Sequence, residues 1–518
     1  MDYDFGQTVV GEPLNPVVNA FEDSYATLSS SLESLASYYT TVRTDGISLS
    51  KKMALEMLAP MQFSKIPNGY FTARDTKNGL GVALEAISNG MMALIAAGIA
   101  AVLGMVFKFI KWLMGRADST TSMGQGVATK AANVESLTQV PQLVQAELKT
   151  PEAKQKFKEI MVEVERGLTE DQLKDSNGEY AINEVAYGVM TGRDEITAIH
   201  KVAKEVSDVL DLSHTGMRIV THFVAKSKLI PEGETYPVEE ELEFQHSLTT
   251  LESQVGHVLR SVAPSMKVFS KIDPPKTDDL IELQHYPQKM VDPNTSWVKD
   301  NVHPLKLSVF EDIARNSDEA AQRVSEIIRT KEQYLKALQT LQGYILQAKD
   351  SKIIKHLQGA GRANVFNPRS GVLKRTTPEV IQTSTRFIQV AIWMSGGHDM
   401  LVGAVIRKVG QALQNTERLY KLRISNIETL LEGNTDDDLI EAYKEIKAAL
   451  VVAKSKTEID RKKYHDKYSK IIEEGVKLTT LYSDSEIEAM DEAVSDTMNK
   501  LLTPTQGVRD AGGVSDLT

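Results

Sequence analysis

The sequence predicts a mainly α-helical protein. It has a helical N-terminal region, one hydrophobic helix of membrane-spanning type, and a large multi-helix C-terminal region. Three observations support this: an apolar seam with a period of 3.5 near the N-terminus, an uncharged run over residues 86–107, and amphipathic runs at helical spacing from residue 150 onwards. Strand-like alternation is scarce, and its best candidate is the short run from Thr383 to Ile392.

Composition limits the classes of protein to consider. The 518 residues suffice for two or more domains. A net charge of −11 excludes a global basic field that would attract nucleic acid or anionic lipid. The absence of cysteine excludes disulfides, thiolate zinc sites and cysteine nucleophiles. The first ten residues are acidic and lack the apolar core of a signal peptide.

The first long helix follows Pro16, where apolar residues are spaced alternately three and four apart until Asp45-Gly46. The seam comprises Val18, Phe21, Tyr25, Leu28, Leu32, Leu35, Tyr39 and Val42. A period of 3.5 over three heptads is typical of a coiled-coil helix, and such a serine-rich helix needs a partner to be stable. That partner is either the protein's own helical domain or another copy.

The hydrophobic helix is predicted from 22 uncharged residues between Glu85 and Lys108. As a helix they would span about 33 Å, which matches a hydrocarbon core of roughly 30 Å. The residues assigned to this membrane segment are Ala86, Ile87, Leu94, Ile95, Ile99, Val102, Leu103, Val106 and Phe107. The alternative is a helix buried at the centre of a large bundle, because such helices are also apolar all round.

Both the flank and the inner positions of this segment fit a membrane role. The predicted interface anchors are Lys108, Lys111, Trp112 and Arg116. The small residues Ala96, Ala100 and Gly104 are four apart, which lets helix backbones approach closely and predicts a self-association face. The branched and aromatic residues contribute only about −2 to −5 kcal/mol to insertion, so insertion is favourable but marginal.

The chain divides by composition into seven parts. These are an N-terminal arm and heptad-bearing region at 1–79, the hydrophobic helix at 80–116, a small-residue linker at 117–133, a middle helical domain at 134–263, a proline-rich connection at 264–305, a C-terminal helical domain at 306–502, and a glycine-rich disordered tail at 503–518.

Four helices of the last two domains have clear sequence signals. Thr150-Pro151 predicts a helix start, because proline is favoured in the first turn. Amphipathic spacing predicts helices over Glu195–Leu210, over Ser317–Lys349 as one long helix, and over Met400–Leu431. The apolar stripe of the long helix is Val324, Ile327, Tyr334, Leu338, Leu341 and Ile345.

The sequence contains no recognisable catalytic motif. The phosphate-binding loop GxxxxGKS/T, the zinc motif HExxH and the nucleophile elbow GxSxG are all missing. His214 and His222 lack a carboxylate to complete a metal set, and the acidic run 436–438 is explained by a helix start. We therefore expect no enzymatic activity, no metal and no cofactor.

One basic cluster stands out in this acidic chain. It comprises Lys349, Lys352, Lys355, Arg362, Arg369, Lys374 and Arg375, with Asp350 as the only acid. Such a cluster suits a nucleic-acid phosphate backbone, a lipid head group or an acidic partner. The acidic surface of its own domain or of a neighbouring copy is the favoured alternative.

The block at 70–116 resembles tailed-bacteriophage virion proteins of the internal or ejected kind. The resemblance lies in YFT at 70–72, LGVALEAISNG at 80–90, the alanine-rich run and FKFIKWLMGR at 107–116. It implies a minor virion component that enters the host envelope during genome delivery, with other virion proteins, further copies of itself and a membrane as partners. The alternatives are a pore-forming, bacteriocin-like effector and a cellular scaffold anchored in a bacterial inner membrane.

Overall fold

A computed structural model of the chain describes residues 119–168, 182–193, 195–227, 238–266, 307–350, 373–432, 440–477, 489 and 492. The heptad seam, the hydrophobic segment with its flank, and the predicted tail at 503–518 lie outside these residues, so those assignments remain predictions. Within the described part, no helix combines the length and apolar character that a membrane crossing requires.

The described residues are mainly α-helical and contain no strand, which confirms the predicted fold class for this part of the chain. Helix α1 covers residues 119–138. The others are α2 Val140–Glu147, α3 Pro151–Gly167, α4 Glu184–Thr191, α5 Glu195–Ser227, α6 Val238–Met266, α7 Leu307–Arg315, α8 Ala320–Arg329, α9 Glu332–Asp350, α10 Leu373–Glu432 and α11 Ile440–Lys477.

The strand candidate at 383–392 is wrong, because this run lies inside α10. Its threonines and branched residues favour strands only weakly, and packing context overrides such preferences. Val390, Ile392 and Met394 are buried in the core that continues along the helix. Helix α10 therefore begins at Leu373, well before the predicted start at Met400.

The predicted linker at 117–133 is also wrong for residues 119–133, which are helical. Its small residues serve close packing: Ala128, Ala131 and Ala132 are completely buried. A Cβ added at Gly124 would lie 2.7 Å from Cγ2 of Ile472, so α1 and α11 approach each other closely at this glycine. The small side chains were the basis for predicting a linker, whereas in the structure they allow two helices to pack closely.

The long helix predicted over Ser317–Lys349 is divided into α8 and α9. At the division, hydrogen bonds run from Gln333 N–H to the Thr330 carbonyl and from Tyr334 N–H to the Lys331 carbonyl, each spanning three residues. Such bonds tighten the chain into a 3₁₀-type turn. The predicted apolar stripe is nevertheless buried from Val324 to Leu341.

Other helix predictions agree with the structure. Thr150 caps α3 by accepting a hydrogen bond from the Ala153 N–H, and Pro151 is the first helical residue. The run predicted over Glu195–Leu210 is helical and continues to Ser227 in α5. Its inward positions include Ile199 and Val202, which are buried.

One main core joins residues that the sequence assigns to two separate domains. Apolar side chains of α1, α4, α5 and α6 share this core with those of α7, α8, α9, α10 and the last turns of α11. Helix α5 packs against α6, α9 and α10, so it links the middle segment to the C-terminal segment.

A second core cluster lies where α2 and α3 pack against the end of α10 and the first half of α11. The two clusters are joined by these longer helices: α10 has 60 residues, which corresponds to about 90 Å of helix. Arg423 also contributes, because its guanidinium contacts Glu311 of α7 at 3.3 Å and Glu165 of α3 at 4.0 Å.

Candidate functional site

A buried ion pair lies at the turn between α8 and α9. The Lys331 ammonium contacts the Asp399 carboxylate of α10, and the two side chains are only 6% and 0% exposed. Lys331 Nζ also donates to Thr120 Oγ1 of α1 at 3.4 Å. A charge buried this deeply is tolerated only with a partner, and Asp399 supplies that partner.

His398 extends this polar arrangement. Its Nε2 lies 3.3 Å from Thr330 Oγ1, its Nδ1 lies 3.4 Å from Tyr334 Oη, and the two rings meet edge to face at 5.3 Å between centroids. Burial, together with the nearby Lys331 charge, lowers the pKa of His398 to about 3. The imidazole is therefore neutral near pH 7 and acts through hydrogen bonds.

We call this set the central polar cluster; it consists of Thr120, Thr330, Lys331, Tyr334, His398 and Asp399. All six residues are buried. The main core encloses the cluster. Its hydrogen bonds and its ion pair therefore join α1, the α8–α9 turn and α10 inside the protein. Its position fixes which faces of these helices meet, because each polar group has to reach its partner.

Helix α1 is held to the rest of the protein by a second polar contact further along. Glu417 of α10 is buried and accepts a hydrogen bond of 3.1 Å from Asn133 Nδ2. Lys130 Nζ lies 3.5 Å from the same carboxylate, and Lys421 Nζ lies 2.7 Å from it. Two cations and one amide thus compensate the charge of a carboxylate that would be unfavourable alone at this depth, although its Oε2 accepts no hydrogen bond from the described residues.

A third contact joins the end of α1 to α11. Tyr468 donates its hydroxyl hydrogen to Glu135, and Gln139 Nε2 donates to Tyr464 Oη at 2.9 Å. Burial raises the pKa of Glu135, and burial with the neighbouring Glu135 raises the pKa of Tyr468. Polar contacts therefore occur at both ends and in the middle of α1.

The surface of the described part carries shallow clefts. One cleft of about 410 Å³ contains His200, whose Nε2 lies 3.3 Å from Glu326 and whose Nδ1 lies 3.0 Å from Gln333 Nε2. In the described ranges, no group of three or more acidic or histidine side chains is arranged to hold a metal ion. His214 lies near Asp211, whose pKa is raised by burial and by Asp208.

Most site residues predicted from sequence cannot be placed. The membrane segment, its anchors, the small-residue face and the heptad seam lie outside the described residues. Of the basic cluster, Lys349, Lys374 and Arg375 belong to helices whose backbone is described, but their side chains are not. The other four basic residues lie outside the described part.

Sequence reasoning missed the central polar cluster, although a signal was present. His398 and Asp399 lie within the otherwise apolar run 390–406, where charged residues are unexpected on a buried helix. Likewise, Lys331 interrupts an apolar stripe. The sequence alone does not show that Lys331 and Asp399 meet, because their contact depends on how the α8–α9 turn packs against α10.

Comparisons with known proteins add no assignment: no protein-family model, curated protein or solved structure matches this chain.

Proposed function

We propose that this protein is a non-enzymatic structural component of a phage particle that self-associates and inserts one helix into the host membrane during genome delivery. The observation that carries the proposal is the uncharged run of 22 residues at 86–107 with its basic and aromatic flank. A charged side chain is expensive in hydrocarbon, so a run of this length without charge favours contact with lipid.

The described helices support the proposal by supplying a scaffold for this segment. Helix α1 is described from residue 119, three residues after Arg116. Its contacts with Lys331, Glu417 and Tyr468 join it to α8–α9, α10 and α11. A helix inserted into a membrane would therefore remain attached to a large, cross-linked helical body.

Self-association is assigned to the small-residue face of Ala96, Ala100 and Gly104. Helices pack in lipid mainly by close van der Waals contact, which small residues allow. Because insertion of a single helix is marginal, several copies brought together in one particle would favour insertion collectively. Stable association of copies before membrane contact would shield the same apolar surface from water.

Flotation of the full chain with lipid vesicles tests membrane insertion. Ile99→Lys places a charge at the centre of the segment and is expected to reduce the ratio of vesicle-bound to free protein by about two orders of magnitude. Val162→Lys is the matched control, since Val162 is exposed on α3 and receives the same charge. Equal binding of both variants would contradict the proposal.

The virion role and the pore-forming alternative need separate measurements. Mass spectrometry of purified phage particles is expected to detect the protein, and its absence from particles would exclude a virion role. Dye-loaded vesicles are expected to stay intact when the purified protein binds them. Dye release by the protein alone would instead favour the bacteriocin-like effector.

A further inference from the structure

Helix α11 carries an exposed apolar strip on the face that points away from the core. Val451, Val452 and Ile459 are 65%, 40% and 62% exposed, and Ala448 and Ser455 on the same face are also exposed. The opposite face, which includes Ile446 and Ala453, is buried in the second core cluster. Single exposed apolar residues are ordinary, whereas neighbouring ones on one helix face indicate a docking surface.

The spacing of this strip is that of a coiled-coil seam. Ala448, Val452, Ser455 and Ile459 are separated by four, three and four residues, and Val451 flanks them. The N-terminal heptad seam from Val18 to Val42 repeats the same alternation and needs an apolar partner. The two patterns therefore have matching periods.

Charge favours this pairing over pairing between copies of either helix. Residues 444–463 carry seven basic and three acidic side chains; Lys454 and Lys456 pair with Glu428 and Glu147 of other helices, which leaves a net charge of +2. Residues 17–42 carry three acidic side chains and no basic one, a net charge of −3. Two α11 helices, or two N-terminal helices, would bring like charges together, whereas one of each would bring opposite charges together.

Chain connectivity favours an intramolecular contact. Gln125 of α1 donates to the Ser469 carbonyl of α11 at 3.3 Å, so the chain enters the scaffold beside α11. Ile459 is ten residues from Ser469, about 15 Å along the same helix. The connection over residues 43–118 is long enough to reach it, and tethering raises the effective concentration of the N-terminal segment at this surface.

We propose that the N-terminal segment 17–42 docks as a helix on the exposed strip of α11 in the same chain, with the heptad seam covering Val451, Val452 and Ile459. This surface is distinct from the membrane segment, so the inference does not depend on the proposed function. It also assigns the partner of the heptad seam, for which the sequence offered either its own domain or another copy.

Cysteine labelling of the full chain tests the docking, because the natural chain has no cysteine and every label reports the introduced site. Maleimide labelling of Ser455→Cys is expected to be about ten-fold slower than that of Val162→Cys, an exposed control on α3. Adding Leu28→Asp and Leu32→Asp should restore rapid labelling at Ser455→Cys. Labelling of Ser455→Cys as fast as the control in the intact chain would overturn the proposal.

Zero-length carbodiimide cross-linking identifies the occupant. Links are expected from Glu22, Asp23 or Glu33 to lysines of α11, and in a mixture of isotope-labelled and unlabelled chains they should join peptides of the same label. Mixed-label links would show that a second copy occupies the strip, and would overturn the intramolecular assignment. Absence of any such link, together with unprotected Ser455→Cys, would overturn docking altogether.

Discussion

Removal of the carboxylate from the buried ion pair is the most informative perturbation of the scaffold. Asp399→Asn keeps the shape of the side chain but leaves the Lys331 ammonium, 6% exposed, without its carboxylate. Breaking a buried pair on one side costs about 3–5 kcal/mol, because the remaining charge loses both water and partner. We expect a loss of this size in the unfolding free energy, measured by urea titration monitored by circular dichroism.

A double-mutant cycle separates the pair from its environment. Lys331→Met combined with Asp399→Leu removes both charges, and we expect it to be more stable than either single variant. Lys444→Gln is the control, because the Lys444–Glu441 pair is exposed and such pairs contribute less than about 1 kcal/mol. If Asp399→Asn were no more destabilising than Lys444→Gln, the argument for an essential internal cross-link would be refuted.

Four further predictions concern pH and packing. The pKa of His398 is about 3 in the folded protein and about 6.5 in the unfolded chain. The free energy of unfolding present above pH 6.5 should therefore fall by about 2–3 kcal/mol by pH 4.5, because the unfolded chain binds the proton more readily. The His398→Gln variant should lose less unfolding free energy in this window. Gly475→Ala should destabilise by about 1–3 kcal/mol, because its Cβ would overlap Ser325 Oγ and lie 3.2 Å from the Ser325 carbonyl oxygen. Gly343→Ala should instead stabilise by about 0.5–1 kcal/mol, since among the described residues no atom outside its own stretch of helix lies within 4 Å of its added Cβ; thermal melts compare the two. Glu445 accepts hydrogen bonds from the Lys149 and Thr150 N–H groups, which lowers its pKa; an NMR titration giving an ordinary value would contradict this geometry.

The sequence predicted the structure correctly where a single helix cap or the spacing along one helix face determines it. The start of α3 at Thr150-Pro151 follows from capping and from the fixed backbone angle of proline. The buried stripe of α5, which includes Ile199 and Val202, follows from helical spacing. These features depend on residues within a few positions of one another.

Sequence-based predictions were wrong where the same composition occurs in two different kinds of structure. Small residues at 119–133 are typical of linkers, yet in α1 they allow Gly124 to approach Ile472 on a helix more than 340 residues away in sequence. Similarly, the branched residues at 383–392 favour strands locally but lie inside α10. In both cases packing against distant helices outweighs a weak local preference.

The sequence by itself determined the helical class, the positions of several helices and the prediction of one membrane-type segment, because periodicity and charge are properties of neighbouring residues. Only the tertiary structure decided that Lys331, His398 and Asp399 meet, that α1 is part of the core, and that the other described helices leave the outer face of α11 uncovered. Burial and pairing depend on which distant helices pack together, and the stabilising energy arises from those contacts rather than from local preference.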